Sequence, residues 1–342
     1  MRVLHLLASP VFSGPAEAVA VLAAAQQRAG ATVKVAVDST RAGTGTEESA
    51  VPRFEALGLL DKGGLALSAH RGVRTLWADT WRLRQLDVDV IHCHTSHDHW
   101  LAWLGRPAGT RLVRSLHAPR SLRWSLPPAD ALTIPVAHLG LQLWPGPVAV
   151  LPALVDTQLF QPSADRRTLR NALGLGAGPV VGMASTFQAP RRHAVAIAAF
   201  AKLRERAPET TLVLLGDGVL EAALRAQVKA SGLEGSVKFV GYRRGVDFVH
   251  WLQALDELWV LGLGNDWAGR AALQARACNV RVVAARLGAL PEWADAVLEE
   301  VSPEALADAA LGGERRQVPL PDVDAVASEV LTLYRAAGVR TV

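Results

Sequence analysis

The chain has 342 residues, half of them apolar and a fifth charged, which excludes a disordered polymer and argues for two domains rather than one core. Its net charge is +4, with 15 Lys/Arg against 12 Asp/Glu in residues 1–160 and 21 against 20 in residues 161–342. Charge spread so thinly excludes a nucleic-acid footprint, although it tolerates an anionic ligand or surface.

The first residues repeat one pattern, a short apolar run followed by a helical stretch, which predicts a parallel α/β sheet. Arg2–Ala8 (RVLHLLA) reads as a strand, residues 9–14 as a loop and Pro15–Ala29 as a helix with proline in its first turn. Gly30 ends that helix, and Thr32–Val37 is the second strand. The leading apolar run is too short and too quickly broken for a secretory signal. Residues 41–49 are polar and glycine-broken.

His70–Leu86 predicts a helix carrying Arg71, Arg74, Arg82 and Arg84 with Trp77 and Trp81. Two readings fit it. The favoured one is a solvated helix whose tryptophans face the core. The other is a basic helix lying on an anionic membrane surface.

Asp89–His94 (DVIHCH) predicts a strand, followed by His97, Asp98 and His99. So many donors invite a metal reading, but the strand and its continuation point residues in different directions, and no metal is expected. Arg111–His117 is the next strand, ending in a histidine at its carboxyl end, where α/β sheets place sites. A loop with Arg120, Arg123 and Trp124 follows.

Residues 131–155 lack charged side chains, yet Pro135, Pro145, Pro147 and Pro152 exclude a membrane-spanning helix, so buried strands and loops are expected. The two cysteines, Cys93 and Cys278, lie far apart in sequence, which suits a reducing compartment and a cytoplasmic location.

The alternation resumes in residues 163–320. Strands are predicted at Pro179–Met183, Thr211–Leu215, Val237–Tyr242 and Leu258–Leu263. Helices are predicted at Ala222–Ser231, at Trp267–Cys278 with Asn279 as its left-handed stop, and after the N-cap Ser302. A last helix covers about Val323–Ala336. The loop 262–266 before Trp267, rich in glycine, sits between a strand end and a helix start, where free N–H groups favour an anion.

The stretch from Leu255 to Val283 resembles the donor-site motif of the GT-B retaining glycosyltransferases, glycosyltransferase family four. The family writes Glu-Gly-Phe-Gly, then Glu-Ala-Met-Ala-Cys-Gly, then Pro-Val-Val. This chain has Asp266-Trp267-Ala268-Gly269, then Gln274-Ala275-Arg276-Ala277-Cys278-Asn279, then Val282-Val283. Asp266 and Gln274 stand where the two glutamates belong. Further matches run through the chain: Pro152, Val155, Asp156, Phe160 and Pro162 at the interdomain crossing, the Gly216-Asp217-Gly218 turn, and Pro291-Glu292. Departures include Met183 for a phosphate-binding arginine and Ala118 for an aspartate.

The resemblance implies two Rossmann-like doubly wound parallel sheets facing an interdomain cleft. It implies an acceptor-side domain at 1–160, a nucleotide-sugar donor domain at 161–320 and a helix in 321–342 that crosses back to the first. It assigns catalysis to His117 and Asp266. It assigns the donor to Ser13, Gly14, His94, Arg191, Arg192, Gly216, Tyr242, Arg243, Trp267, Ala268, Gly269 and Gln274, without a cofactor or a metal. The implied reaction moves a sugar from a nucleotide-diphospho-sugar to a saccharide or lipid-linked acceptor with retention, in cell-surface polysaccharide or glycoconjugate synthesis. Peripheral contact with the inner face of a membrane would be through the N-terminal domain. The accumulated departures keep a second reading open, a non-catalytic binding or scaffold relative.

Overall fold

The computed structural model describes residues 1–12, 14–41, 48–68, 70–117, 126–136, 146–263 and 267–337. The chain divides into two compact units, Met1–Leu154 with Pro321–Val342, and Val155–Leu320.

In the first unit, β1 (Arg2–Leu7), β2 (Thr32–Val37), β3 (Val90–Cys93), β4 (Arg111–Ser115), β5 (Ala131–Ile134) and β6 (Val148–Val150) form one sheet. Its order is β2-β1-β3-β4-β5-β6, and the pairings are parallel. Four helices connect the early strands: α1 (Gly14–Arg28), α2 (Ala50–Ala56), α3 (Val73–Arg84) and α4 (Ser96–Gly105). Alternate residues of the strands serve two cores. Val3, Val33, Val35, Val90 and Val113 pack with Ala16, Val19 and Ala23 of α1 and with Val330 and Tyr334 of the last helix, α12 (Val323–Ala336). Leu4, Leu6, Ile91 and Leu112 pack on the other side with Leu83 of α3 and Leu101 of α4. Burial on both faces is why the inner strands β1 and β3 read as apolar runs interrupted only by histidine.

In the second unit, β7 (Val180–Ala184), β8 (Thr211–Leu215), β9 (Val237–Gly241), β10 (Glu257–Val260), β11 (Arg281–Ala285) and β12 (Ala296–Leu298) form a second parallel sheet. Its order is β12-β11-β10-β7-β8-β9. The helices are α5 (Arg166–Ala172), α6 (His193–Arg206), α7 (Glu221–Ala230), α8 (Gly245–Gln253), α9 (Arg270–Ala277), α10 (Leu290–Trp293) and α11 (Pro303–Ala309). Val181, Met183, Leu212, Leu214, Trp259 and Val283 pack against Ile197 and Phe200 of α6 and Leu306 of α11. Each sheet reverses its winding once, between β1 and β3 and between β7 and β10, as expected of doubly wound folds. Asn279 adopts φ 62° after α9, and the Ser302 hydroxyl accepts from the Ala305 N–H at 3.1 Å.

One expectation fails. The tryptophans of α3 do not face the core: Trp77 is 71% exposed and Trp81 56%. The inner face is instead Leu76, Asp79 and Leu83, spaced three and four residues apart. Asp79 is buried there because it accepts the backbone N–H groups of Ala66 and Leu67, at 2.9 and 3.0 Å. Among the described residues no helix is long and apolar enough to cross a membrane.

Candidate functional site

The reversal point of the first sheet brings together the ends of β1 and β3. The His94 N–H donates to the Leu6 carbonyl at 3.1 Å. Asp98, at the start of α4, accepts from Thr95 N at 2.8 Å and from Ala8 N at 3.2 Å. This carboxylate therefore ties the loop after β1 to the loop after β3. Burial pushes Asp98 up to about 6, against the pull of the nearby Arg114. Gly14 is the first residue of α1; Ser13 lies outside the described residues.

Behind that corner is a buried chain of polar side chains. His5 Nε2 lies 2.8 Å from Gln26 Oε1, and His5 Nδ1 lies 3.0 Å from His94 Nε2. Gln26 Nε2 donates to Tyr334 Oη at 3.1 Å, and Tyr334 Oη lies 2.6 Å from His92 Nδ1. His92 Nε2 lies 2.8 Å from Ser115 Oγ, which lies 2.7 Å from Thr133 Oγ1. With Gln26 Oε1 as acceptor, neutral His5 and His94 both donate through Nε2, while the Tyr334, His92, Ser115 and Thr133 links can run in either direction with the His92 tautomer. Burial holds His92 and His94 well below the ordinary histidine range and His5 at about 4. All three are neutral at pH 7.

The nitrogens of His5, His92 and His94 lie within 4.8 Å of one another. The trio differs from the set suggested by sequence: His97, Asp98 and His99 sit on α4, and His5 comes from the adjacent strand. His92 has hydrogen-bonding neighbours on both ring nitrogens, so the geometry is accounted for by hydrogen bonding alone.

His117 stands two residues beyond β4, its ring stacked on His94 with centroids 5.8 Å apart. Burial, with Arg114 nearby, lowers it to about 4. His94 Nδ1 and His117 Nε2 are buried without a partner among the described residues. These two nitrogens retain hydrogen-bonding capacity for a ligand hydroxyl.

The reversal point of the second sheet lies between the loops after β7 and β10. They are bonded directly: Leu263 N donates to the Pro190 carbonyl at 2.8 Å. Arg191 lies across the β10 loop so closely that a Cβ on Gly262 would stand 3.1 Å from its Nη1. Arg192 caps α6 in the left-handed region, φ 61°, which is uncommon for a residue with a side chain. His193 follows, buried, with Nε2 3.3 Å from Ser185 Oγ. Burial, then Arg191, lowers it to about 4.

Gly216 and Gly218 serve packing. A Cβ on Gly216 would stand 2.1 Å from the Ser185 carbonyl oxygen, and one on Gly218 2.7 Å from that of Phe187. The Gly-Asp-Gly turn thus holds the loop that carries Arg191. Beyond β9, Tyr242 is 42% exposed, and Arg243 pairs with Asp247 at 3.4 Å. This strand is at the sheet edge, next to β8.

Asp266 lies outside the described residues. Trp267, Ala268 and Gly269 lead into α9, with Gly269 as its N-cap at φ 66°. Trp267 is held from behind by Gly288, where a Cβ would stand 2.4 Å from the Trp267 carbonyl oxygen. Gln274 is buried on α9, in the turn after its start. Thus Arg191 lies against the loop that leads toward residues 267–269. Tyr242 and Arg243 lie at the far edge of the sheet.

Sequence reasoning missed His5, Gln26, Tyr334 and His193. Nothing local marks the first three as partners, because the contacts join distant segments. Arg276 was also unread: it is buried, donating to the Trp293 carbonyl at 3.0 Å and pairing with Asp295 at 2.9 Å. It fixes α9 against β12's approach and is a structural residue.

Comparison with known proteins agrees with this architecture. The family model Glycosyltransferase Family 4 matches residues 12–158, and Glycosyl transferases group 1 matches 178–312. One relative is the GDP-mannose-dependent alpha-(1-6)-phosphatidylinositol monomannoside mannosyltransferase of Mycolicibacterium smegmatis, 32% identical over 217 residues, which are 55% of this chain and 56% of the relative. Another is the D-inositol 3-phosphate glycosyltransferase of Stackebrandtia nassauensis, 33% identical over 43% of this chain and 35% of the relative. The matched part is about half of the first of these relatives and less of the second. Among solved structures, Anabaena HepE in complex with UDP has a TM-score of 0.72 at 20% identity, covering 98% of each chain. A glycosyltransferase of Rickettsia africae has 0.74 at 14% identity, covering 99% of each. These two likenesses establish the GT-B fold. On the two family models, which between them reach across most of its length, the chain belongs to the group 1 glycosyltransferases of family four.

Proposed function

We propose that the protein transfers a sugar from a nucleotide-diphospho-sugar to a saccharide or lipid-linked acceptor, with retention of anomeric configuration, in the synthesis of a cell-surface polysaccharide or glycoconjugate. The observation that carries the reading is the joint of the β7 and β10 loops: Leu263 N bonded to the Pro190 carbonyl, with Arg191 lying on Gly262. A guanidinium and two helix starts, those of α6 and α9, then serve one strand-end corner, the usual place for a ligand in such sheets. Arginine can hold a diphosphate oxygen pair with a two-pronged fork. Neutralising the leaving diphosphate is the electrostatic work such transfer needs. In this reading the positive charge comes from the protein, so no bound cation is called for. Gln274 takes the ribose as donor or acceptor, Asp266 meets a sugar hydroxyl, and neutral His117 orients the sugar. Two free, buried cysteines support a reducing, cytoplasmic setting. The relatives named above act on phosphatidylinositol monomannoside and D-inositol 3-phosphate, which supports a polyol or lipid-linked acceptor.

The second reading, a non-catalytic relative, rests on the accumulated departures: Asp266 and Gln274 for the two glutamates, Met183 for an arginine, Ala118 for an aspartate and Asn279 for a glycine. One experiment separates the two. Thermal melting is measured with uridine, guanosine and thymidine diphosphates and their sugar conjugates, followed by release of nucleotide with candidate acceptors. Ligand at a hundred times its dissociation constant stabilises by about 2.7 kcal/mol, so a donor raises the melting temperature by several degrees. The Arg191→Ala, Arg192→Ala double variant abolishes that shift. A shift without turnover favours the scaffold; no shift with any nucleotide removes the donor site altogether.

A further inference from the structure

We infer that the adjoining outer faces of α3 and α4 seat the first unit on an anionic lipid surface. α3 exposes Val73, Trp77, Trp81 and Arg84, spaced four, four and three residues apart, which makes one stripe. α4 exposes Trp100, Trp103 and Leu104, each 41–42%, and the two indole rings meet edge-on at 5.7 Å. The helices are in backbone contact: a Cβ on Gly105 would stand 2.8 Å from the Thr80 carbonyl oxygen. Arg84, at the end of the α3 stripe, donates to the Leu104 carbonyl at 3.1 Å, so one arginine joins the two apolar faces. Four exposed tryptophans on two packed helices are far from the scattered single apolar residues of an ordinary surface.

Charge decides what covers them. The acidic residues of the two helices, Asp79 and Asp98, are both buried and accept backbone N–H groups. Arg71, Arg74, Arg82 and Arg84 are exposed, and among the described residues Arg71, Arg74 and Arg84 have no carboxylate partner. The face therefore combines indole rings, which favour the boundary between water and acyl chains, with unneutralised guanidinium groups. An anionic headgroup layer complements both, and each arginine near such a layer raises partitioning by about five-fold.

The inference deepens the proposed function by placing a lipid-linked acceptor beside the first unit. Vesicle binding needs no nucleotide, however, so the two readings fail separately. Flotation is measured with vesicles of phosphatidylcholine alone and of equimolar phosphatidylcholine and phosphatidylglycerol. Wild type binds the mixed vesicles at least about ten-fold more tightly, with a blue shift in tryptophan emission and weakening at high salt. The Trp77→Ser, Trp81→Ser variant and the Arg74→Glu, Arg84→Glu variant each lose about ten-fold or more, while both keep any nucleotide-induced thermal shift of the wild type. Equal binding to the two vesicle types, or unchanged binding by both variants, overturns the inference. So does absence of vesicle binding together with self-association that the tryptophan variant abolishes, since the face would then be a protein interface.

Discussion

Gly216 shows how much one residue can decide at the candidate donor corner. Its φ of 147° is open to glycine, and the Ser185 carbonyl oxygen occupies the space where a Cβ would go, at 2.1 Å. Gly216→Ala must therefore push back the loop that carries Arg191, which costs about 3 kcal/mol or more. Gly232 is the control, with φ 66° and nothing within 4 Å of an added Cβ; there alanine costs about 1–2 kcal/mol from the backbone alone. Urea unfolding of the two variants checks the difference, and equal midpoints would show that the loop yields freely. The glycine was legible in the sequence as part of a Gly-Asp-Gly turn. Its packing duty was not, because that depends on which loop lies opposite.

Among elements, the helix α12 depends on a contact that no helical periodicity announces. Tyr334 is fully buried, and its hydroxyl joins Gln26 of α1 to His92 of β3. Tyr334→Phe keeps the ring and leaves two buried polar groups short of a partner, at about 1–3 kcal/mol apiece. Unfolding free energy in urea should fall by about 2–6 kcal/mol on that basis; a loss under about 0.5 kcal/mol, the range of neutral surface changes, would show that water replaces the hydroxyl. The extent of α12 was readable, since Asp322 caps it and its apolar residues recur at helical spacing. The strand β1 was equally plain, because burial on both faces leaves a run broken only by His5, and β2 was marked by alternation, exposed Thr32 and Lys34 against buried Val33 and Val35. α3 was readable as a helix but not in its orientation. A tryptophan on a helix predicts burial by default, but here the inner face goes to Leu76, Leu83 and the buried Asp79, bonded to Ala66 and Leu67. The histidine chain was beyond reach for a related reason. His5 meets His92 and His94 because β1 and β3 are neighbours in the sheet, and strand order is not written in local composition.

At the scale of the whole molecule, the buried histidines divide the two units by their response to acid. His5, His99 and His117 are held at about 4, and His92 and His94 well below the ordinary value, chiefly by burial. All five belong to the first unit. The second contributes His193, also at about 4. A histidine lowered by folding stabilises fully above its unfolded value of about 6.5, and that stability is lost as pH falls toward its folded value. Asp98 opposes the trend: raised to about 6, it favours the folded state as pH falls from that value toward about 4. Five protons taken up on unfolding less one leaves about four, a slope near pH 5 of about 5 kcal/mol per pH unit. The stability of a typical domain is only about 5–15 kcal/mol, so the first unit should unfold within one to three pH units below about 6.5, while the second persists. Hydrogen exchange read by mass spectrometry at descending pH, with unit-resolved peptides, measures this directly. Protection should vanish from β1, β3 and α12 while β7, β8 and α6 remain protected. Protection lost at the same pH in both units would mean that the histidine chain does not set acid stability, and full protection of β3 at about pH 4 would mean that its rings accept protons in place.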